Sequence, residues 1–444
     1  MTGDTKKQPG EKAGAAKATN IAREVGVIRR AYYQRLREAK ERGEFTAWSM
    51  IGQPDPIFAG FDVIPIFAEN YGPVCAAKLV GDHYCGVAET EGFSADICSY
   101  LRTGLGIAKL QHDLRGEPPP DAPYGGMGKP DMLIGFHSFC DGRYKWMQQL
   151  GRYLDVPYFG YDLKDWPLGW DVNDKDLKRH MVNHAYEQLK RLVAFMEKVT
   201  GKKLDKYRLS EALRCSRKSG ELYGKTLELR AAHPCPLPAQ DSAALPFPNF
   251  VLGGHPECVD FYQRAYDEVK YRADNKISSI PGEEKYRLIW YHLIPWFYLG
   301  LYNWLEETFG AATISTGYGG GGIAPREDIV DYDFPLESMA RTMYEGLGSH
   351  QTMRRTSRNY VRQAELVKEY DVDGAICMLV ASCRGTNDIY HAWQVLKDNT
   401  KDIPALSLEA DMVDTRTYSD AMIKQKLTAF METVDAAKRK RQKD

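Results

Sequence analysis

Residues Asp373 to Asp411 read DGAICMLVASCRGTNDIYHAWQVLKDNTKDIPALSLEAD, and their pattern decides the fold. An unbroken apolar run, Ala375 to Ala381, has the length of a strand buried on both faces, and Cys383 closes it. An amphipathic helix is expected over about Asp388 to Lys397, then a second strand from Ile403 to Leu408 that stops at acidic residues. Strand, helix and strand in that order make a βαβ unit, whose strands are parallel. Cys383 then falls where such sheets gather ligands, beyond the carboxyl end of a strand. Pro130 to Asp162, PDMLIGFHSFCDGRYKWMQQLGRYLDVPYFGYD, repeats the arrangement and puts Cys140 between a strand and a helix.

Outward from these two units, the 444 residues exceed what one compact core usually holds. Hydrophobic content of 43% and charged content of 27% describe a chain able to bury a sizeable interior. A formal net charge of -1 leaves no electrostatic footprint for nucleic acid. The first residues, MTGDTKKQPGEKAGAAKATN, lack the apolar run of a signal peptide, and nine dispersed cysteines fit a reducing compartment, so a cytoplasmic location is expected. Leu288 to Leu305 carries no Asp, Glu, Lys or Arg, yet Pro295, His292 and Asn303 interrupt it. A buried strand, a turn at Pro295 and an aromatic helix account for it better than a membrane span does.

In chain order, a disordered start to about residue 20 leads into a helix from Ile21 to Arg42, with a solvated basic face. Phe45 to Asn70 reads as the first strand, and Cys98 as lying just inside a helix capped by Ser94. Helices are expected over Asn173 to Thr200, Arg208 to Ala232, Val259 to Asp274, Leu336 to Leu347 and Thr352 to Tyr370. A last one, Asp420 to Lys438, frays into the basic tail. The fold class is α/β, with two Rossmann- or flavodoxin-like parallel-sheet domains and an additional helical layer. The divisions are a basic tail and helix over 1–44, a first α/β domain over 45–165, a mainly helical region over 166–275 and a second α/β domain over 276–444. No short-period repeat is visible.

Gly317 to Gly322, GYGGGG, lacks the signature of a phosphate loop and reads as an active-site loop. His180 and His184 have zinc-ligand spacing, but Met181 replaces the glutamate such a motif needs, which leaves an ordinary helix surface. Cys377 lies mid-strand as a small apolar residue, whereas Cys75 and Cys85 stand near Cys98 as potential neighbours. Cys98, Cys140 and Cys383 differ from the rest because each falls at an element end beside a helix start. Three thiolates can hold an iron–sulfur cluster and leave one iron open; three isolated structural cysteines are the alternative.

Three segments, SADICSYLRTGLG, PDMLIGFHSFCDGRYKWMQQL and VDGAICMLVASCRGTNDI with its continuation IPALSLEADMVDTRTYSDAMIKQKLTAFMETV, resemble the benzoyl-CoA reductase and 2-hydroxyacyl-CoA dehydratase superfamily. The resemblance spans about residues 45 to 440 and implies a [4Fe–4S] cluster held by Cys98, Cys140 and Cys383. It also implies a related cluster-bearing partner subunit and a separate ATP-hydrolysing activator, since this chain has no phosphate loop of its own. The ending EADMVDTRTYSDAMIKQKLTAFMETV looks more like the larger subunits of ATP-dependent benzoyl-CoA reductase, although HLIPW departs from their pattern. The expected reaction is low-potential reduction of an aromatic acyl-CoA ring, with Trp296 as a wall of the substrate site. Radical dehydration of a 2-hydroxyacyl-CoA, or a non-catalytic electron relay, are the alternatives. No membrane or nucleic-acid partner is expected.

Overall fold

The computed structural model describes residues 19–51, 55–137, 140–163, 174–291, 293–315, 330–345, 364–383 and 403–443, together with 394, 397, 398 and 400. Strands β1 (Phe45–Ser49), β2 (Val63–Phe67), β3 (Met132–His137) and β4 (Tyr158–Asp162) form one four-stranded sheet in the order β2-β1-β3-β4. Strands β5 (Tyr286–Tyr291), β6 (Ala311–Ser315), β7 (Gly374–Leu379) and β8 (Ala405–Glu409) form a second in the order β6-β5-β7-β8. Every pairing is parallel. Numbered within its own half, each sheet has the order 2-1-3-4, so the chain repeats a topology without repeating a short sequence period. Each order reverses between the first and third strands, at β1/β3 and at β5/β7. Ligand crevices of open α/β sheets lie at such reversals.

Apolar runs become these strands because both faces are covered: β6 is buried throughout and β7 through all but its last residue. Helices Lys175–Thr200, Lys206–Glu228 and Pro256–Asp274 form the helical layer. Met181, Ala185, Leu189, Leu192 and Met196 bury the stripe expected of the first, and all join the apolar core of the first sheet. A second core gathers Leu288, Trp290, Ile376, Met378 and Leu408 from the second sheet with Phe430 and Val434 from the C-terminal helix. The uncharged run resolves into β5, a turn at Pro295 and helix Gly300–Phe309. Among the described residues no helix is long and apolar enough to cross a membrane.

Three expectations are corrected. Phe45 to Asn70 holds two strands, because Pro56 starts the short helix Pro56–Phe61 and Asp62, at φ 55°, ends it in the left-handed region. Thr19 is anchored, its amide and hydroxyl both donating to the Asp241 carboxylate at 2.8 and 2.7 Å, so order begins earlier than residue 20. The C-terminal helix runs Asp420–Arg441 with no fray at Lys438. Its last basic residues have a distant anchor, since Lys438 and Arg441 each meet the buried Asp373 carboxylate at 2.8 Å, at the start of β7. Most of the expected helices over Asp388 to Lys397 and Thr352 to Tyr370 lie outside the described residues, although 364–369, 394 and 397 are helical.

Removing both cations would leave Asp373 buried and uncompensated. The double substitution Lys438→Ala/Arg441→Ala is expected to destabilise the second half by about 3 kcal/mol, and the exposed Lys440→Ala by less than about 0.5 kcal/mol. Native-state hydrogen exchange on β7 and the C-terminal helix measures both.

Candidate functional site

Cys98 is the N-cap residue of helix Ser99–Asp113, one position outside it. Ser94, the cap expected from sequence, is spent on a local turn: its hydroxyl accepts the Asp96 amide and donates to the Asp96 carboxylate, both at 3.2 Å. Cys140 is likewise the N-cap of helix Asp141–Leu154, directly after β3. Cys383 follows β7, its amide donating to the Val380 carbonyl at 2.9 Å. A cap cysteine receives the unpaired amides of a first helical turn, which favour a thiolate. Neither thiol makes a cap hydrogen bond, but the amides of Leu101 and Tyr100 oppose the rise in thiol pKa at Cys98, and that of Arg143 the rise at Cys140.

The three cysteines come from distant parts of the chain, yet Cys140 and Cys383 both act on the Cys98 thiol. Burial pushes the Cys98 thiol well up, and the neighbouring Cys383 and Cys140 push it further. Burial also raises Cys140, opposed by the amide and guanidinium of Arg143. Cys98 packs against both cores and Cys383 against the second, so the group sits at the seam between the halves. Cys75, Cys85, Cys235, Cys258 and Cys377 are instead fully buried. Burial drives Cys85 and Cys377 up to about 12, the behaviour of inert core thiols. Cys85 rests on the Ser99 carbonyl at 3.7 Å and on Thr103.

The seam is closed by buried charge that sequence reasoning missed. Arg102, 2% exposed, donates to the Ile97 carbonyl at 2.9 Å, to Glu89 at 2.6 Å and to Asp414 at 2.8 Å. Arg416 pairs with the same two carboxylates, at 2.6 Å each. Asp411, three residues earlier, accepts the Ser382 hydroxyl at 2.6 Å and the amides of Val413 and Asp414 at 2.8 and 3.0 Å, fixing the residue before Cys383. On the other side Arg143 binds Glu69 at 2.6 Å. The one sequence signal for any of this was the acidic stop after β8.

Trp296 begins the turn after β5, at the β5/β7 reversal. Its indole N–H donates to the Tyr100 hydroxyl at 2.6 Å, and its amide to the Met412 carbonyl at 3.2 Å. It therefore stands against the helix that Cys98 caps. Trp290, Phe297 and Tyr302 are core, as an aromatic stripe usually is. His180 is exposed and His184 meets only the Asp162 carbonyl, at 3.1 Å, so this face is ordinary helix surface. Gly317 to Gly322 lie outside the described residues.

A sequence profile described as 2-hydroxyglutaryl-CoA dehydratase, D-component, matches residues 50–434. The chain belongs to that family. Cys98, Cys140 and Cys383 fall inside the matched span. Within the family, it is 24% identical to the (R)-2-hydroxyisocaproyl-CoA dehydratase alpha subunit of Clostridioides difficile, over 92% of this chain and 94% of that one. It is 24% identical to the (R)-phenyllactyl-CoA dehydratase alpha subunit of Clostridium sporogenes, over 90% and 92%. It is 26% identical to a benzoyl-CoA reductase subunit of Thauera aromatica, over 91% and 92%. Family members are thus subunits of both dehydratases and a reductase.

Burial alone would raise the Asp414 carboxyl, but hydrogen bonds from Arg416 and Arg102 outweigh it and hold it down at about 2. A carboxyl depressed on folding contributes stability that is present above its unfolded value of about 4 and lost as pH falls through the folded one. The contribution of Asp414 to the seam is therefore expected to decline as pH falls from about 4 toward 2. Arg102→Met, which strips one cation from Asp414 and Glu89, should weaken the seam by about 3 kcal/mol at neutral pH. Hydrogen exchange at 411–418 compared with β3 reads both effects.

Proposed function

We propose that this chain is the iron–sulfur subunit of a hetero-oligomeric complex that delivers low-potential electrons to an aromatic acyl-CoA thioester, reducing its ring. What supports the reading is the chain's family together with three cysteines at element ends, of which Cys140 and Cys383 both act on Cys98. The donor set fits a [4Fe–4S] cluster: three thiols with apolar walls and amide donors aimed at two of them. Binding would release the protons of the three thiols to solvent. Among the described residues no three of His, Cys, Asp or Glu close on a single-ion site. When bound, such a cluster supplies single electrons at low potential, with one iron free of cysteine.

The chain's own residues supply position and environment. Amides of Tyr100, Leu101 and Arg143 stabilise negative charge on the thiolates. Arg102, Asp414 and the Ser382–Asp411 bond hold the caps of the two halves in register. Trp296, pinned by Tyr100, offers a flat apolar wall beside Cys98 that suits an aromatic ring and helps exclude water. The sequence has no phosphate-loop signature, so we assign activation to a separate ATP-hydrolysing subunit, with a related cluster-bearing subunit completing the complex.

A second reading, dehydration of a 2-hydroxyacyl-CoA, is favoured by the family's own description and by the dehydratase alpha subunits among the relatives. An aromatic wall does not separate the two, since one relative is named for phenyllactyl-CoA.

Replacing Cys98, Cys140 or Cys383 with Ser should each lower iron and acid-labile sulfide in anaerobically purified protein, with Cys215→Ser and Cys377→Ser as unaffected controls. Full iron in all three variants rejects the cluster. For the reaction, the activated complex is given benzoyl-CoA and a 2-hydroxyacyl-CoA together, and ring reduction and dehydration are followed separately. Ring reduction is expected, slowed at least tenfold in Trp296→Ala; dehydration alone would select the second reading.

A further inference from the structure

Tyr124 is held where a bulky side chain seldom goes. Its backbone is left-handed, at φ 57°, and the two glycines that follow, Gly125 and Gly126, also have positive φ. Such a conformation persists only where its surroundings over-determine it, and four contacts do so here. The Tyr71 hydroxyl donates to the Pro123 carbonyl at 2.7 Å. The Arg37 guanidinium donates to the Tyr124 carbonyl. Gly125 gives the Arg37 side chain its seat, since a Cβ there would come within 2.7 Å of it. Tyr33 stacks on the Tyr124 ring, with centroids 5.3 Å apart and planes 9° from parallel. The outcome is a half-buried ring in a fixed place.

Two cations meet at that ring. The Arg29 guanidinium, from helix Asn20–Glu38, and the Lys78 ammonium, from the C-cap of helix Ala68–Ala77, each lie over it at 5.6 Å from its centroid. A ring attracts one cation, but two beside the same ring repel each other. Among the described residues neither meets a carboxylate, and the Arg29 Nε is buried with no hydrogen-bond partner. Asp121, the nearest acid in sequence to Tyr124, accepts instead from the Tyr84 hydroxyl at 3.3 Å. The unbalanced positive charge suits an anion from outside the chain, and Lys78 is exposed to receive one.

The helix that ends at Lys78 also leads to Trp296. Its Gly72 backs the ring of Tyr100, where a Cβ would approach to 2.7 Å, and the Tyr100 hydroxyl holds the Trp296 indole. From Gly72 to Lys78 the helix rises about 9 Å, and the Tyr100 and Trp296 rings lengthen the path. A ligand that touches both ends must be long, uncharged along its middle and strongly negative at its far end. An acyl-CoA has that build, with a thioester, a neutral pantetheine arm and then its phosphates. We propose that Arg29 and Lys78, arranged around Tyr124, hold the phosphates of an acyl-CoA whose thioester lies toward Trp296. The inference rests on the acyl-CoA reading above and applies to ring reduction and dehydration alike.

The test measures equilibrium binding to the complex purified without oxygen. The probes are benzoyl-CoA and a 2-hydroxyacyl-CoA, each beside the pantetheine thioester of the same acyl group, which lacks the phosphates. Lys78→Glu, at an exposed position, and Arg29→Gln should each weaken the CoA thioesters by about tenfold or more and leave the pantetheine thioesters unchanged. Lys78→Arg should bind as the wild type does, and so should Lys40→Gln, an exposed cation just past the end of the N-terminal helix. Added salt should weaken the CoA thioesters more in the wild type than in Lys78→Glu. Equal losses for both kinds of thioester make the two residues structural and overturn the inference. Unchanged CoA binding in both variants, or an equal loss in Lys40→Gln, also overturns it. ATP that binds the wild type more tightly than the CoA thioesters, and is lost in the same variants, gives the cations to a nucleotide and overturns it too. All of these leave the acyl-CoA reading standing, whereas a wild-type complex that binds none of the thioesters overturns both.

Discussion

The buried pair of Arg102 and Asp414 is the contact on which the site depends. A guanidinium that is 2% exposed is tolerable only when its charge is met, and the partners that meet it come from both halves of the chain. Glu89 and Arg102 belong to the first half, Asp414 and Arg416 to the loop after β8. Sliding one half against the other would strand a charge in a dry seam, so the network permits one docking. Close packing enforces the same register: a Cβ on Gly81 would come within 2.4 Å of Val413. Arg102 lies one turn from Cys98 and Asp414 three residues from Asp411, which in turn holds Ser382. Fixing the seam therefore fixes the relative positions of thiols that are far apart in sequence.

The repeated topology explains which positions were available for such thiols. Parallel sheets deliver every strand's carboxyl end to one edge, and each half offers a crevice at the reversal of its strand order. Cys140 follows the third strand of its sheet and Cys383 the third strand of the other, so the two occupy corresponding places. Cys98 has a different origin, capping a helix that comes after β2. It packs against both cores.

Much of this was legible because it depends on local pattern. Apolar runs announced β3, β7 and β8, and turn residues at Pro295 divided the aromatic run correctly. Cys98, Cys140 and Cys383 stood out by lying at element ends, whereas mid-strand Cys377 did not. What stayed hidden depends on partners far away in the chain. Asp414 and Arg102 are separated by 312 residues, and neither looks unlike a surface charge in a one-dimensional reading. The tail after Lys438 looked solvated because its counter-ion, Asp373, precedes it by 65 residues. Ser94 was preferred over Cys98 as a cap because serine is the commoner cap and cysteine is chosen only when the sulfur has other work.

The turn at Trp296 shows how the same seam bears on what the site can recognise. The indole N–H is engaged by the Tyr100 hydroxyl, and Gly72 leaves the Tyr100 ring a close seat, where a Cβ would approach to 2.7 Å. The tryptophan is thus held by its polar edge, and what it has to offer a ligand is a face. A face recognises a flat apolar group through dispersion and stacking and has no means of selecting a hydroxyl. In the proposed reading, Trp296 then favours substrates that carry a ring without choosing the bond that breaks. That choice belongs to groups able to exchange a proton with the substrate, and a buried acid or base near the three cysteines would have to make it.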